Sequence, residues 1–163
     1  MRNKKVLFLT QAAMIAALYV VLTYVSNMFG LANGAIQFRL SEALTILPFF
    51  TPAAIPGLAI GCLLSNILTG CAALDIIFGS LATLIGALGS YYLRRYKYAV
   101  TIPPVLANII IVPWVLRVAY SIPDSIPYLM LTVGIGEVVM CMVVGSILLA
   151  GLNKYKHVIF KEN

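Results

Sequence analysis

Residues 36–70 read IQFRLSEALTILPFFTPAAIPGLAIGCLLSNILTG. The stretch opens on a polar cluster, Gln37, Arg39, Ser41 and Glu42, and then enters two apolar runs separated by Pro48, Pro52 and Pro56. Charges are expensive inside a bilayer, so an arginine and a glutamate at the edge of long apolar runs need a reason. The runs predict two short helices, over 41–50 and 53–68, with Pro52 at a break or kink between them. Ser41 is placed to cap the first, with Glu42 in its favourable first turn. Gly57 and Gly61 give the second a G-x-x-x-G pair for close helix packing.

The rest of the chain has the same character. Of 163 residues, 62% are hydrophobic and 10% charged, with a mean hydropathy of +1.02; a soluble domain is about 25% charged. One crossing takes about 20 apolar residues, so the chain has room for five or six spans and little else. The net charge of +6 does not imply nucleic acid. Arg2, Lys4 and Lys5 precede the first apolar run, Arg94, Arg95 and Lys97 share one hinge, and Lys154, Lys156 and Lys161 form the tail. Such clusters read as cytoplasmic anchors, and they do not interleave with aromatics as a single-strand groove requires. Cys62, Cys71 and Cys141 form no C-x-x-C pair and read as buried, inert thiols. The only histidine, His157, lies in the tail, so no His-based metal site is expected, and no cofactor.

In chain order, 6–29 is a first helix, too long for a cleaved signal. Ala12, Ala13, Ala16 and Ala17 give it two overlapping A-x-x-x-A pairs, suited to close approach by another helix or by this bundle's own neighbours. Residues 30–40 are too short and polar to span; Asn33-Gly34 marks a turn, and the segment reads as a short extended lid. After 41–50 and 53–68, a fourth helix covers 74–94, with Gly79, Ala82, Gly86 and Gly89 on a small-residue face. The fifth, 103–120, starts on Pro103 and Pro104 and is interrupted at Pro113. The sixth, 127–152, carries Glu137. Six spans put both termini and the Arg94–Lys97 hinge on one side, with nine of the eleven basic residues, whereas five would split the clusters. The expected fold is therefore an all-α integral membrane protein of six transmembrane helices in a single domain, both termini cytoplasmic.

That topology sets Gln37, Arg39, Glu42, Asn66, Asp75 and Arg117 at the outer face, with Asn108, Trp114 and Glu137 deeper on the same half. Glu137 lies roughly 15 Å down its helix, where an ionisable group marks a functional site or else an intramembrane ion pair with Arg117 or Arg39. Arg39 and Glu42 read equally as interfacial anchors bonded to each other. Trp114 is a belt aromatic or a stacking platform; Asp75 and Asp124 also suit helix starts. Together these groups describe an outward pocket for a flat, hydrogen-bonding molecule. The chain has no phosphate loop, no H-E-x-x-H and no G-x-S-x-G, so it cannot hydrolyse ATP by itself.

The runs QFRLSEALTILPFFTPAAIPGLAIGCLLSNILTG, ALDIIFGSLATLIGALGSYYLR and PPVLANIIIVPWVLR strongly resemble the QueT family. Those proteins are substrate-binding S components of energy-coupling factor (ECF) transporters. The resemblance implies an S-component bundle in the cell membrane that captures a queuosine precursor or salvage product, a 7-deazaguanine such as 7-aminomethyl-7-deazaguanine, queuine or queuosine. It implies as partners a coupling membrane protein and two cytoplasmic ATPases, and no enzymatic activity of the chain's own. It also implies docking through the A-x-x-x-A face of Ala12, Ala13, Ala16 and Ala17. A guanine-like edge presents adjacent N–H donors that a carboxylate accepts in pairs; Glu137 is the first choice, with Asn108 on the ring edge, Trp114 stacking, and Glu42 or Asp75 toward an aminomethyl cation. The rival readings are an S component for another small nutrient, a membrane enzyme using Glu42, Asp75 or Glu137, and a ligand-free adaptor.

Overall fold

In a computed structural model the described residues are 4–31 and 36–159, the side chains of 157 and 158 excepted. Lys4–Met28 forms α1, and Leu40–Phe49 a 3-10 helix. Then come α2, Ala54–Leu68, and α3, Ala73–Tyr92. A 3-10 turn, Ala99–Thr101, leads into α4, Ile102–Ala119. The last stretch is α5, Ile126–Glu137, a π-helical turn, Val138–Val144, and α6, Gly145–Ile159. The described residues contain no strand.

Four of these stretches are long and apolar enough to cross a membrane: Lys4–Met28, Ala73–Tyr92, Ala99–Ala119 and Ile126–Lys156. Their outer faces keep large apolar groups exposed, among them Leu9, Val21, Ile77, Leu106, Leu131 and Ile147, which suits a surface solvated by lipid. Leu40–Phe49 and Ala54–Leu68 are shorter. The first of these is the axis of the bundle rather than part of its wall: Ser41 to Pro48 are all buried, and it touches α1, α2, α3, α6 and the π turn.

An α-helix was expected over 41–50, and the backbone there is 3-10. Pro48 lacks an N–H to donate, and Thr45 Oγ1 donates to the Glu42 carbonyl at 2.6 Å, competing with the α-helical ladder. Ten residues of 3-10 backbone are unusual, and α1 holds them in place. Leu40 N–H donates to Ser26 Oγ (2.9 Å), Thr23 Oγ1 to Ser41 Oγ (2.9 Å), Tyr19 to Glu42, and Thr51 Oγ1 to Gln11 Oε1 (2.9 Å). Ser41 is thus not a cap: the capping position is Arg39, without a side-chain cap bond. Pro113 does not interrupt its helix either, as α4 runs through it.

The small residues divide their work. Ala12 and Ala16 are buried against α2, where a Cβ on Gly57 would come 2.8 Å from the Ala12 carbonyl and one on Gly61 3.1 Å from Ala16 Cα. Ala13 and Ala17 face outward and are exposed. The expected Asn33-Gly34 turn lies outside the described residues.

Candidate functional site

Polar side chains from four elements converge where α1, α2 and α4 end and α3 begins. Each is set there by its helix position: Thr23 and Asn27 on the last turns of α1, Asn66 on the last turn of α2, Asp75 on the first turn of α3, and Tyr120 at the end of α4. With Gln37 and Arg39 they line an outer cavity of about 430 Å³, within the range that holds small molecules. Gln37 and Arg39 also wall an inner chamber of about 20 Å³, completed by Glu42, Thr83, Asn108, Val112 and Glu137.

Asp75 organises the outer cavity. Its side chain is 5% exposed, and Oδ2 stands 3.8 Å from Arg39 Nη2 and accepts from Tyr120 Oη at 2.9 Å. Tyr120 Oη accepts in turn from Ala72 N–H (3.2 Å), and Asn66 Nδ2 donates to the Asp75 carbonyl (3.3 Å). Partial burial, with the Asp75 carboxylate beside it, pushes the Tyr120 hydroxyl above its ordinary range, so it remains a donor. Arg39 therefore pairs with Asp75, not with Glu42 as an i, i+3 pair.

Glu42 is buried, and its Oε1 accepts from the Tyr19 hydroxyl. Asn108 stands beside both Glu42 and Glu137. Cys141, one helical turn beyond Glu137, donates to Glu137 Oε2 (3.2 Å) and to the Glu42 carbonyl (3.5 Å). Cys141 is buried, as expected, and so is Cys62, whereas Cys71, read the same way, is only half-buried and lines the outer cavity. Glu42, Glu137 and Cys141 bring one ligand atom each within 4.8 Å of one another, a spacing open to a metal ion; in the hydrogen bonds above, however, the thiol and the Tyr19 hydroxyl act as proton donors to the carboxylates.

Seven of the nine residues singled out, Gln37, Arg39, Glu42, Asn66, Asp75, Asn108 and Glu137, line the two cavities. Two do not. Trp114 is 55% exposed on an apolar groove with Phe78 and Ile110. Six residues along a helix of 3.6 per turn leave it about 120° away from Asn108, so it belongs to the lipid-facing side. Arg117 is exposed and donates through Nη1 to the Asp124 carbonyl at 3.0 Å, bracing the turn after α4. Tyr19, Thr23 and Tyr120 escaped the sequence reading. Tyr19 had a signal: it is three residues beyond Ala16 and seven beyond Ala12, on the same buried stripe.

An all-helical, multi-pass protein of the cell membrane with a polar cleft at one end of its bundle has the build of a carrier of small molecules. Comparison with known families makes this specific. The QueT transporter family model matches residues 9–154, and the chain belongs to that family, one of transporters rather than enzymes. It is 38% identical over 98 residues to a queuosine precursor transporter QueT of Lactococcus lactis subsp. cremoris (strain MG1363); the match covers 60% of this chain and 57% of that relative. No solved structure matches.

Proposed function

We propose that the chain is the substrate-binding S component of an ECF-type importer and captures a queuosine precursor, a 7-deazaguanine, from outside the cell. The observation that carries this reading is the paired cavity: carboxylates, amides and one guanidinium gathered inside a bundle whose outer surface is apolar. The name of the Lactococcus relative, a queuosine precursor transporter, supports this choice of ligand class. Gln37, Arg39, Asn66 and Asp75 meet the ligand in the outer cavity, and Glu42, Asn108 and Glu137 in the inner one.

Charge placement supports the orientation. Lys4 and Lys5 open α1, Arg94 and Arg95 follow α3, and Lys154 and Lys156 lie late in α6, all at helix ends remote from the cleft. With basic ends inside, six traversals put both termini in the cytoplasm and the cleft outside. Uptake then needs a coupling membrane protein and two ATPases, which this chain meets through the exposed Ala13 and Ala17 of α1. Because Trp114 lies away from the cavities, calorimetry is the suitable readout of binding. Detergent-purified protein titrated with 7-aminomethyl-7-deazaguanine, queuine, queuosine and guanine is expected to bind at least one deazaguanine saturably. Absence of heat with all of them, in protein shown to be folded, contradicts the ligand assignment.

A further inference from the structure

Glu42 Oε2 is, among the described residues, the one fully buried side-chain oxygen or nitrogen without a hydrogen-bond partner. Buried acceptors are nearly always paired, so an orphan asks what donates to it. Its other oxygen is taken: Tyr19, 1% exposed on α1, donates to Oε1 and fixes the rotation of the carboxylate. Oε2 therefore has a defined place beside the inner chamber, which Glu42 lines with Glu137 and Asn108. The guanidinium nearest this pair, Arg39, is turned to Asp75.

We propose that Glu42 Oε2 and Glu137 together receive two adjacent N–H donors from the ligand, the ring N–H and exocyclic amine of an amino-pyrimidinone edge. Tyr19 is the positioning residue that presents Oε2. This rests on the 7-deazaguanine reading above and adds which groups read the base. Two acceptors from different elements suit two neighbouring donors, and a site built to bond an N–H rejects the analogue that lacks it. At about 20 Å³ the chamber has the volume for a water, so the edge enters with movement of Gln37 and Arg39, which wall both cavities.

The test compares 7-deazaguanine with 7-deazahypoxanthine, which lacks only the exocyclic amine, by calorimetry on the full chain. Wild type is expected to prefer the first by about tenfold or more. Glu42→Gln, which turns an amide N–H toward the donors, is expected to bring the two affinities to within about twofold, and Tyr19→Phe, which keeps the carboxylate but frees its rotation, to lower the preference. A purely structural role weakens both ligands alike and leaves their ratio unchanged. If Glu42→Gln does not fold, Tyr19→Phe carries the test. An unchanged ratio overturns the proposal, as does wild-type binding of both ligands without preference, in which case the deazapurine reading survives. Binding of neither ligand by wild type that does bind 7-aminomethyl-7-deazaguanine, queuine or queuosine overturns the proposal alone, and binding of none of these compounds overturns both.

Discussion

Asp75 is where the outer cavity depends on single atoms. Its carboxylate meets one cation, Arg39, and one hydroxyl, Tyr120, so a charge on an arriving ligand has a defined counterpart. Asp75→Asn keeps the Tyr120 contact and removes the charge. It is expected to weaken 7-aminomethyl-7-deazaguanine, a cation, by about tenfold, a loss of about 1.4 kcal/mol, and to leave the neutral 7-cyano analogue within about twofold; parallel calorimetric titrations measure both. At this scale the sequence was informative wherever a polar group broke an apolar run, as Asp75, Asn108 and Glu137 do. It was uninformative for Tyr19 and Cys141, which look like any other residue of such a run until the fold sets them beside carboxylates. Of the two readings offered for Trp114, its exposed place on an apolar groove fits the belt aromatic and not the stacking platform, as the helical angle to Asn108 already argued.

Among the elements, α1 carries two faces one residue apart. Ala12 and Ala16 press on Gly57 and Gly61, whereas Ala13 and Ala17 are exposed. Leucine at Ala12 or Ala16 is expected to cost about 1–3 kcal/mol by overpacking, read as a lower unfolding midpoint. Leucine at Ala13 and Ala17 is expected to leave that midpoint within about 0.5 kcal/mol and, given the proposed S-component role, to abolish co-purification with a coupling protein and ATPases. The spacing alone revealed both A-x-x-x-A pairs but not which one the bundle consumes, because that depends on where α2 lies. A second contact concerns residues 36–39, part of the extended lid expected over 30–40. Arg39 is extended, and the Gln37 carbonyl rests so close over Gly136 of α5 that any Cβ there collides with it. Gly136→Ala is therefore expected to lift Gln37, to speed amide hydrogen exchange at 36–39, and to weaken ligand binding by about tenfold. Exchange rates equal to wild type would show that the segment is seated by something else. The 3-10 form of Leu40–Phe49 was not legible, since its pattern of apolar residues and one proline fits a short α-helix equally well, and the side-chain bonds from α1 that hold it are long-range.

The molecule as a whole separates its charges. Lys4, Lys5, Arg94, Arg95, Lys154 and Lys156 lie at one set of helix ends, while Arg39 and Arg117 lie with the polar cleft at the other; the proposed orientation rests on that asymmetry. The four long stretches were legible as spans by length, while the two short ones depend on a surrounding bundle that composition does not describe. Cys71 offers a check on the orientation. It lines the outer cavity and is half-buried, whereas Cys62 and Cys141 are buried. A membrane-impermeant maleimide added to intact cells is expected to label Cys71, with Cys71→Ser unlabelled and a saturating deazaguanine protecting the thiol. Labelling only after the cells are opened would place the cleft on the cytoplasmic side.

The central claim, capture of a queuosine precursor for import, is tested most directly by uptake. A strain unable to make the precursor, carrying the coupling protein and ATPases with or without this chain, is fed 7-aminomethyl-7-deazaguanine, queuine or queuosine, and queuosine in its tRNA is quantified. Queuosine that appears with at least one of these compounds, and only when the chain is present, is the predicted result. No queuosine from any of them, although the chain is in the membrane and assembled with its partners, would contradict the account.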